Sequence, residues 1–161
     1  MIVKKKQEGL SRRASGPLSK PAATLTVGAL EAALLADFPA ADAEAWDKTG
    51  MTVGDPARLV EGVAVALDPT VFAVRDAVSC GANVLLTHHP LFLEAPDSFK
   101  PAKSAAAATG AGVWAAIEGG VAVMSFHTAL DVSERAARVL PSMLNLNFKG
   151  QLLVPAPNSR R

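Results

Sequence analysis

The sequence predicts an α/β fold, built as a mainly parallel sheet of βαβ units flanked by helices. Three apolar runs, Gly62 to Leu67, Val84 to Leu86 and Val121 to Phe126, each end in polar residues, as strands do when helices cover their faces and their carboxyl ends open on a crevice. A helical pattern closed by glycine lies between the first two runs, and a second precedes the third. Half of the 161 residues are hydrophobic, which is ample for the core of one domain.

Charge divides the chain. Residues 1–23 carry six basic side chains against Glu8, a net of +5, whereas residues 24–159 hold eight basic and fourteen acidic side chains, a net of −6. The head reads as a disordered basic tail, with a phosphate-seeking arm as the alternative. Arg12 and Arg13 are followed by no apolar segment that would make an export signal, and Ser15 follows a short basic pattern that recurs by chance. An acidic body with few aromatics and no tyrosine speaks against nucleic acid as a partner. No run reaches the roughly 20 apolar residues needed to cross a bilayer, so no membrane partner is expected. One cysteine, Cys80, with no CxxC pair, points to a reducing, cytoplasmic setting.

Order is expected from Thr24 to about residue 150. Thr26 caps a helix whose apolar stripe is Ala29, Leu30, Ala33, Leu34 and Phe38, and Pro39 ends it. Ala45 to Met51 is a polar turn between hydrophobic anchors. It is either a loop pinned by a buried Trp46 or a segment that sets Asp47 and Lys48 at the rim of the crevice.

Gly62 to Asp68 reads as a buried strand, followed by a helix from Thr70 to Cys80 with Gly81 in the left-handed position after it. Cys80 reads as a small packing residue. The next strand delivers His88 and His89 and is stopped by Pro90. Adjacent side chains on a regular strand diverge, so the two imidazoles fit one ligand each to two neighbouring metal ions. The alternative is a hydrogen-bonded turn without a ligand.

Glu94 to Pro101 is loop-like, and a helix should span Ala102 to Ile117. The third strand runs into His127-Thr128-Ala129-Leu130-Asp131, and Ser133 to Leu140 reads as a helix ended by Pro141. Asp131 is either a metal ligand or an acid at a helix start. Residues 151–161 read as a frayed C-terminal tail. Asp68, the His88-His89 pair, and His127 with Asp131 therefore end three strands, and a parallel sheet gathers them along one edge. Imidazole and carboxylate donors suit zinc, manganese, iron or magnesium.

The order Trp46-Asp47-Lys48-Thr49-Gly50, Val65-Ala66-Leu67-Asp68, Leu86-Thr87-His88-His89-Pro90-Leu91 and His127-Thr128-Ala129-Leu130-Asp131 resembles the Nif-three-like family of GTP cyclohydrolase 1 type 2 homologues, over about residues 24–147. The resemblance implies a dinuclear centre with two divalent ions per complete site and ring-like homo-oligomers. It also implies a metal-dependent hydrolase acting on a small molecule or nucleotide, with GTP opened and formate released. By the same resemblance His88 binds one metal, His89 the other, Asp131 completes part of the first site, and His127 sits nearby. The family's C-terminal His-x-x-x-Glu ligands have no counterpart here: no histidine follows His127. The chain is therefore expected to be a C-terminally truncated member with an incomplete site, or a non-catalytic oligomerising or regulatory module that retains the fold.

Overall fold

The computed structural model describes residues 25–101 and 109–150. The basic head, the C-terminal tail and residues 102–108 at the start of the second expected helix lie outside the described residues. The elements are helix α1 (Val27–Asp37), a 3₁₀ turn (Ala40–Asp42), strands β1 (Gly50–Val53) and β2 (Val63–Ala66), helix α2 (Val71–Ser79), strand β3 (Val84–Thr87), helix α3 (Thr109–Gly119), strand β4 (Ala122–Ser125), and short helices α4 (Thr128–Asp131), α5 (Glu134–Ala137) and α6 (Val139–Met143).

The sheet runs β1-β4-β3-β2. β2 pairs in parallel with β3, and β3 in parallel with β4. β1 joins antiparallel to β4, with Gly50 opposite Ser125. The end of the expected polar turn is thus the start of a strand. Gly50 takes φ +103, which glycine tolerates, and a Cβ there would stand 2.9 Å from Glu31 Oε1. That oxygen accepts the Met51 N–H at 2.7 Å and ties α1 to the sheet.

The βαβ unit follows its sequence signals. Thr70 caps α2 by accepting the Ala73 N–H at 3.1 Å, and Gly81 closes it at φ 76. Cys80 is exposed rather than packed. Buried Asn83 pins the entry to β2, accepting from Glu61 N–H at 2.8 Å and donating to the Leu59 carbonyl at 2.7 Å.

Two cores lie on opposite faces of the sheet, as alternation along β3 and β4 requires. Leu85 and Val123 point to Val71, Val74, Ala111 and Ala116 on α2 and α3. Val84, Ala122 and Met124 point to Val27 and Phe126, with Leu30 and Leu34 of α1 and Phe38 just after it packed beside them. All four residues of β4 are buried. β2 differs from its expected burial because it is the edge strand: Val65 is 79% exposed and Leu67 60%. A strand's apolar sequence records that it can be covered on both faces, not that it is.

The expected helix from Ser133 to Leu140 is instead split between α5 and α6, and Pro141 lies inside α6 rather than ending a helix. Proline fits there because the first turn of a helix has amide groups without intrahelical acceptors.

Candidate metal centre

The carboxyl ends of β2, β3 and β4 meet at one rim. β3 ends at Thr87, and its hydroxyl donates to the His89 carbonyl at 2.7 Å. The His89 N–H donates to the Leu67 carbonyl at 3.0 Å. The pleat therefore stops before the histidines, which sit in a bend tied down by these two hydrogen bonds. Its effect is to bring the rings together rather than splay them, with the His88 and His89 centroids 5.0 Å apart.

His127, at the exit of β4, completes a cluster: its ring centroid lies 4.9 Å from that of His88 and 5.5 Å from that of His89. One nitrogen from each of the three rings falls within 4.8 Å of the others, and all three residues are half-buried. Asp131 Oδ1 stands 3.7 Å from His88 Nε2. The carboxylate belongs to the last residue of α4, while the cap of α5 is Ser133, so Asp131 fills no capping role there.

Metal–nitrogen and metal–oxygen bonds of about 2.0–2.2 Å at tetrahedral angles place two ligands of one ion roughly 3.3–3.5 Å apart. The 3.7 Å His88–Asp131 separation fits such a pair. The wider spacing among the imidazoles fits one ion after small ring rotations, or two ions about 3.5–4 Å apart.

Carboxylates back the rings. His89 Nδ1 lies 2.6 Å from Asp68 Oδ1, a pair in which both side chains are about half exposed. Asp47, read from the sequence only as a rim residue, has a side chain with no exposure at all, whereas Trp46 beside it is 54% exposed. The tryptophan thus does not pin the loop by burial; it rests at an edge-to-face angle on His127 at 5.7 Å. Instead Ser125, fully buried at the end of β4, donates its hydroxyl to the Lys48 carbonyl at 2.8 Å and holds the turn in place.

Asp47 Oδ2 accepts the Thr128 N–H at 2.9 Å and the Thr128 hydroxyl, and Oδ1 accepts the Lys48 N–H at 2.7 Å. Burial by itself pushes the Asp47 carboxyl up. The Thr128 and Lys48 hydrogen bonds and the nearby His127 outweigh it and hold the group below its ordinary 3.8. Oδ1 also lies 3.4 Å from His127 Nδ1, a buried nitrogen without a hydrogen-bond partner among the described residues, so this contact is one of proximity rather than a formed bond.

Sequence reasoning left His127 near the metals without naming it a ligand and missed what Asp47 and Thr128 do. The signal for His127 was present, since it ends an apolar run as His88 does. No signal linked Asp47 to it, because that contact depends on β1 folding antiparallel against β4.

Residues 25–152 match the family described as Duf34/NIF3 (NGG1p interacting factor 3). A Streptomyces coelicolor protein named GTP cyclohydrolase 1 type 2 homolog is 36% identical over 127 residues, which are 78% of this chain and 43% of that protein. A Staphylococcus aureus protein of the same name is 35% identical over 97 residues, 59% of this chain and 25% of its own length. The crystal structure of a Staphylococcus aureus protein superposes with a TM-score of 0.68 at 29% identity, covering 76% of this chain and 38% of the other. That of a Bacillus cereus protein related to NIF3 gives 0.66 at 27% identity, covering 76% and 33%. The chain therefore spans under half the length of these relatives, and across that span it belongs to the Duf34/NIF3 family.

Proposed function

We propose that the chain binds a divalent cation through His88, His89 and Asp131, with His127 as a further imidazole, and that it carries part of the metal centre of a metal-dependent hydrolase. The convergence of three rings from two strand exits within 4.8 Å supports this reading most directly. Donors of this kind suit zinc, manganese, iron or magnesium. Three imidazoles and Asp131 are four donors, enough for one tetrahedral ion, whereas a catalytic pair of ions needs about three or four protein ligands each or bridging carboxylates. The dinuclear site of the family is thus proposed to be incomplete within these residues.

A bound ion supplies Lewis acidity to a hydrolytic reaction. The chain's own part is to hold that ion at a rim where the Asp131 and Asp68 carboxylates attract cations and the imidazole nitrogens offer donors. The relatives' name makes GTP the first nucleotide to test, in a cytoplasmic setting. Calorimetric titration of zinc and manganese into the wild-type chain and a His88→Ala/His89→Ala variant, with formate release from GTP measured alongside, tests both levels. Binding lost in the variant supports the metal site, formate release supports hydrolysis, and absence of binding to the wild type refutes both.

The edge strand favours a second reading, a homo-oligomerising module that keeps the fold without catalysis. Val65 and Leu67 project apolar surface beside a groove of about 490 Å³ lined by Leu34, Phe38, Leu86 and Phe126. Exposed apolar surface next to an open sheet edge suits pairing with a second copy. Sedimentation separates the readings, since a monomer at all concentrations removes the module.

A further inference from the structure

We infer that Asp47 is the positioning residue for His127: its carboxylate holds the imidazole with the proton on Nδ1 and so turns the Nε2 lone pair toward the other two rings. The value of that lone pair as a ligand rests on the metal-binding reading above; the tautomer itself does not.

Asp47 is built to act on a neighbour without moving. Its side chain is wholly buried and takes hydrogen bonds from Thr128 N–H, the Thr128 hydroxyl and Lys48 N–H, while Ser125 holds the Lys48 carbonyl. Thr128 is held in turn, its hydroxyl oxygen accepting the Glu44 N–H at 2.9 Å. Satisfying Thr128 N–H explains part of this arrangement, because His127 offers no side-chain cap at the start of α4. It does not explain why Oδ1 faces the buried His127 Nδ1 at 3.4 Å.

A neutral imidazole has one proton and two ring nitrogens. With the proton on Nε2, a buried Nδ1 lone pair would face carboxylate lone pairs, which is repulsive and leaves both desolvated. With the proton on Nδ1, the same contact is a charge-assisted hydrogen bond once the ring closes by a few tenths of an ångström to the usual 2.7–3.2 Å. The second arrangement leaves Nε2 unprotonated, which is the form a metal ligand requires. Trp46, edge-on at 5.7 Å, occupies another side of the ring.

The comparison with His89 sets the scale. Asp68 is nearer to its histidine, at 2.6 Å, but both partners are about half exposed and water competes for each. Asp47 is shielded, so its hold on a tautomer should be the stronger despite the longer distance.

Long-range ¹⁵N–¹H correlation spectra of the metal-free full chain read the tautomer directly. The expected result is His127 protonated at Nδ1 in the wild type. In Asp47→Asn an amide N–H can face Nδ1, so the proton shifts to Nε2 and zinc affinity falls about 10–100-fold. A wild-type His127 protonated at Nε2, or an Asp47→Asn chain with tautomer and zinc affinity unchanged, overturns the inference. If the wild type binds no zinc yet shows the Nδ1 proton and loses it in Asp47→Asn, the metal reading fails and the positioning role stands. Should Asp47→Asn not fold, Thr128→Val removes only the hydroxyl bond and leaves the carboxylate held by the two backbone N–H groups, so the Nδ1 proton is expected to stay, and an Nε2 proton overturns the inference.

Discussion

The Nδ1 atom of His89 lies 2.6 Å from Oδ1 of Asp68, and the His89 N–H reaches back to the Leu67 carbonyl, so the exits of β2 and β3 are clasped to each other by side chain and backbone together. This clasp is why two adjacent histidines share a rim instead of facing opposite sides of the sheet. Both side chains are about half exposed, which sets how much the clasp is worth.

Asp68→Asn should change the stability of the fold by no more than about 1 kcal/mol, as for other exposed pairs. Its effect belongs in cation affinity, with zinc binding weakened about tenfold through loss of a partner that orients the ring. Urea denaturation and a zinc titration on the same variant measure the two. A loss of several kcal/mol with affinity intact would reverse the assignment.

Asp47 should behave oppositely in stability. Asp47→Ala leaves the Thr128 and Lys48 N–H groups without their acceptor, at a cost of about 1–3 kcal/mol for each unsatisfied group that stays dry. Chemical denaturation at neutral pH should therefore rank Asp47→Ala well below Asp68→Ala.

Acid should erase that ranking. The Asp47 carboxyl is held below its ordinary 3.8, so the native state binds fewer protons there than the unfolded chain does. Its contribution is complete above the unfolded value, near pH 4, and is lost as pH falls through the lower native value. The gap in midpoint between wild type and Asp47→Asn should stay constant from about pH 5 to 7 and narrow below about pH 4. A gap that widened in acid would contradict the hydrogen-bonded carboxylate.

Core and edge should separate cleanly. Leu85 is 1% exposed between α2 and α3, and Leu85→Ala should cost about 2–5 kcal/mol. Val65, at 79% exposure, should tolerate lysine within about 0.5 kcal/mol, while Val65→Lys should abolish any self-association through the β2 edge. Thermal melts and sedimentation velocity check the pair.

The unit from β2 to β3 was legible because its punctuation is local: Thr70 starts the helix, Gly81 stops it, and the apolar runs end in polar groups. Local punctuation also revealed the histidine rim, since a strand exit is fixed by topology. What could not be read depended on contacts between distant residues. β1 is four residues with a glycine at its head, too short to announce a strand, and only its pairing with β4 brings Asp47 to His127. The exposure of β2 reflects its place at the edge of the sheet among the described residues, and the break after Asp131 falls where Ser133 caps a new helix.

Native mass spectrometry of the zinc-loaded chain bears most directly on the cation site. One tightly held ion per chain, lost on His88→Ala and on His89→Ala with the fold retained by circular dichroism, is the predicted result. A chain that carries no zinc, or that keeps the same zinc after both histidines are replaced, would contradict it.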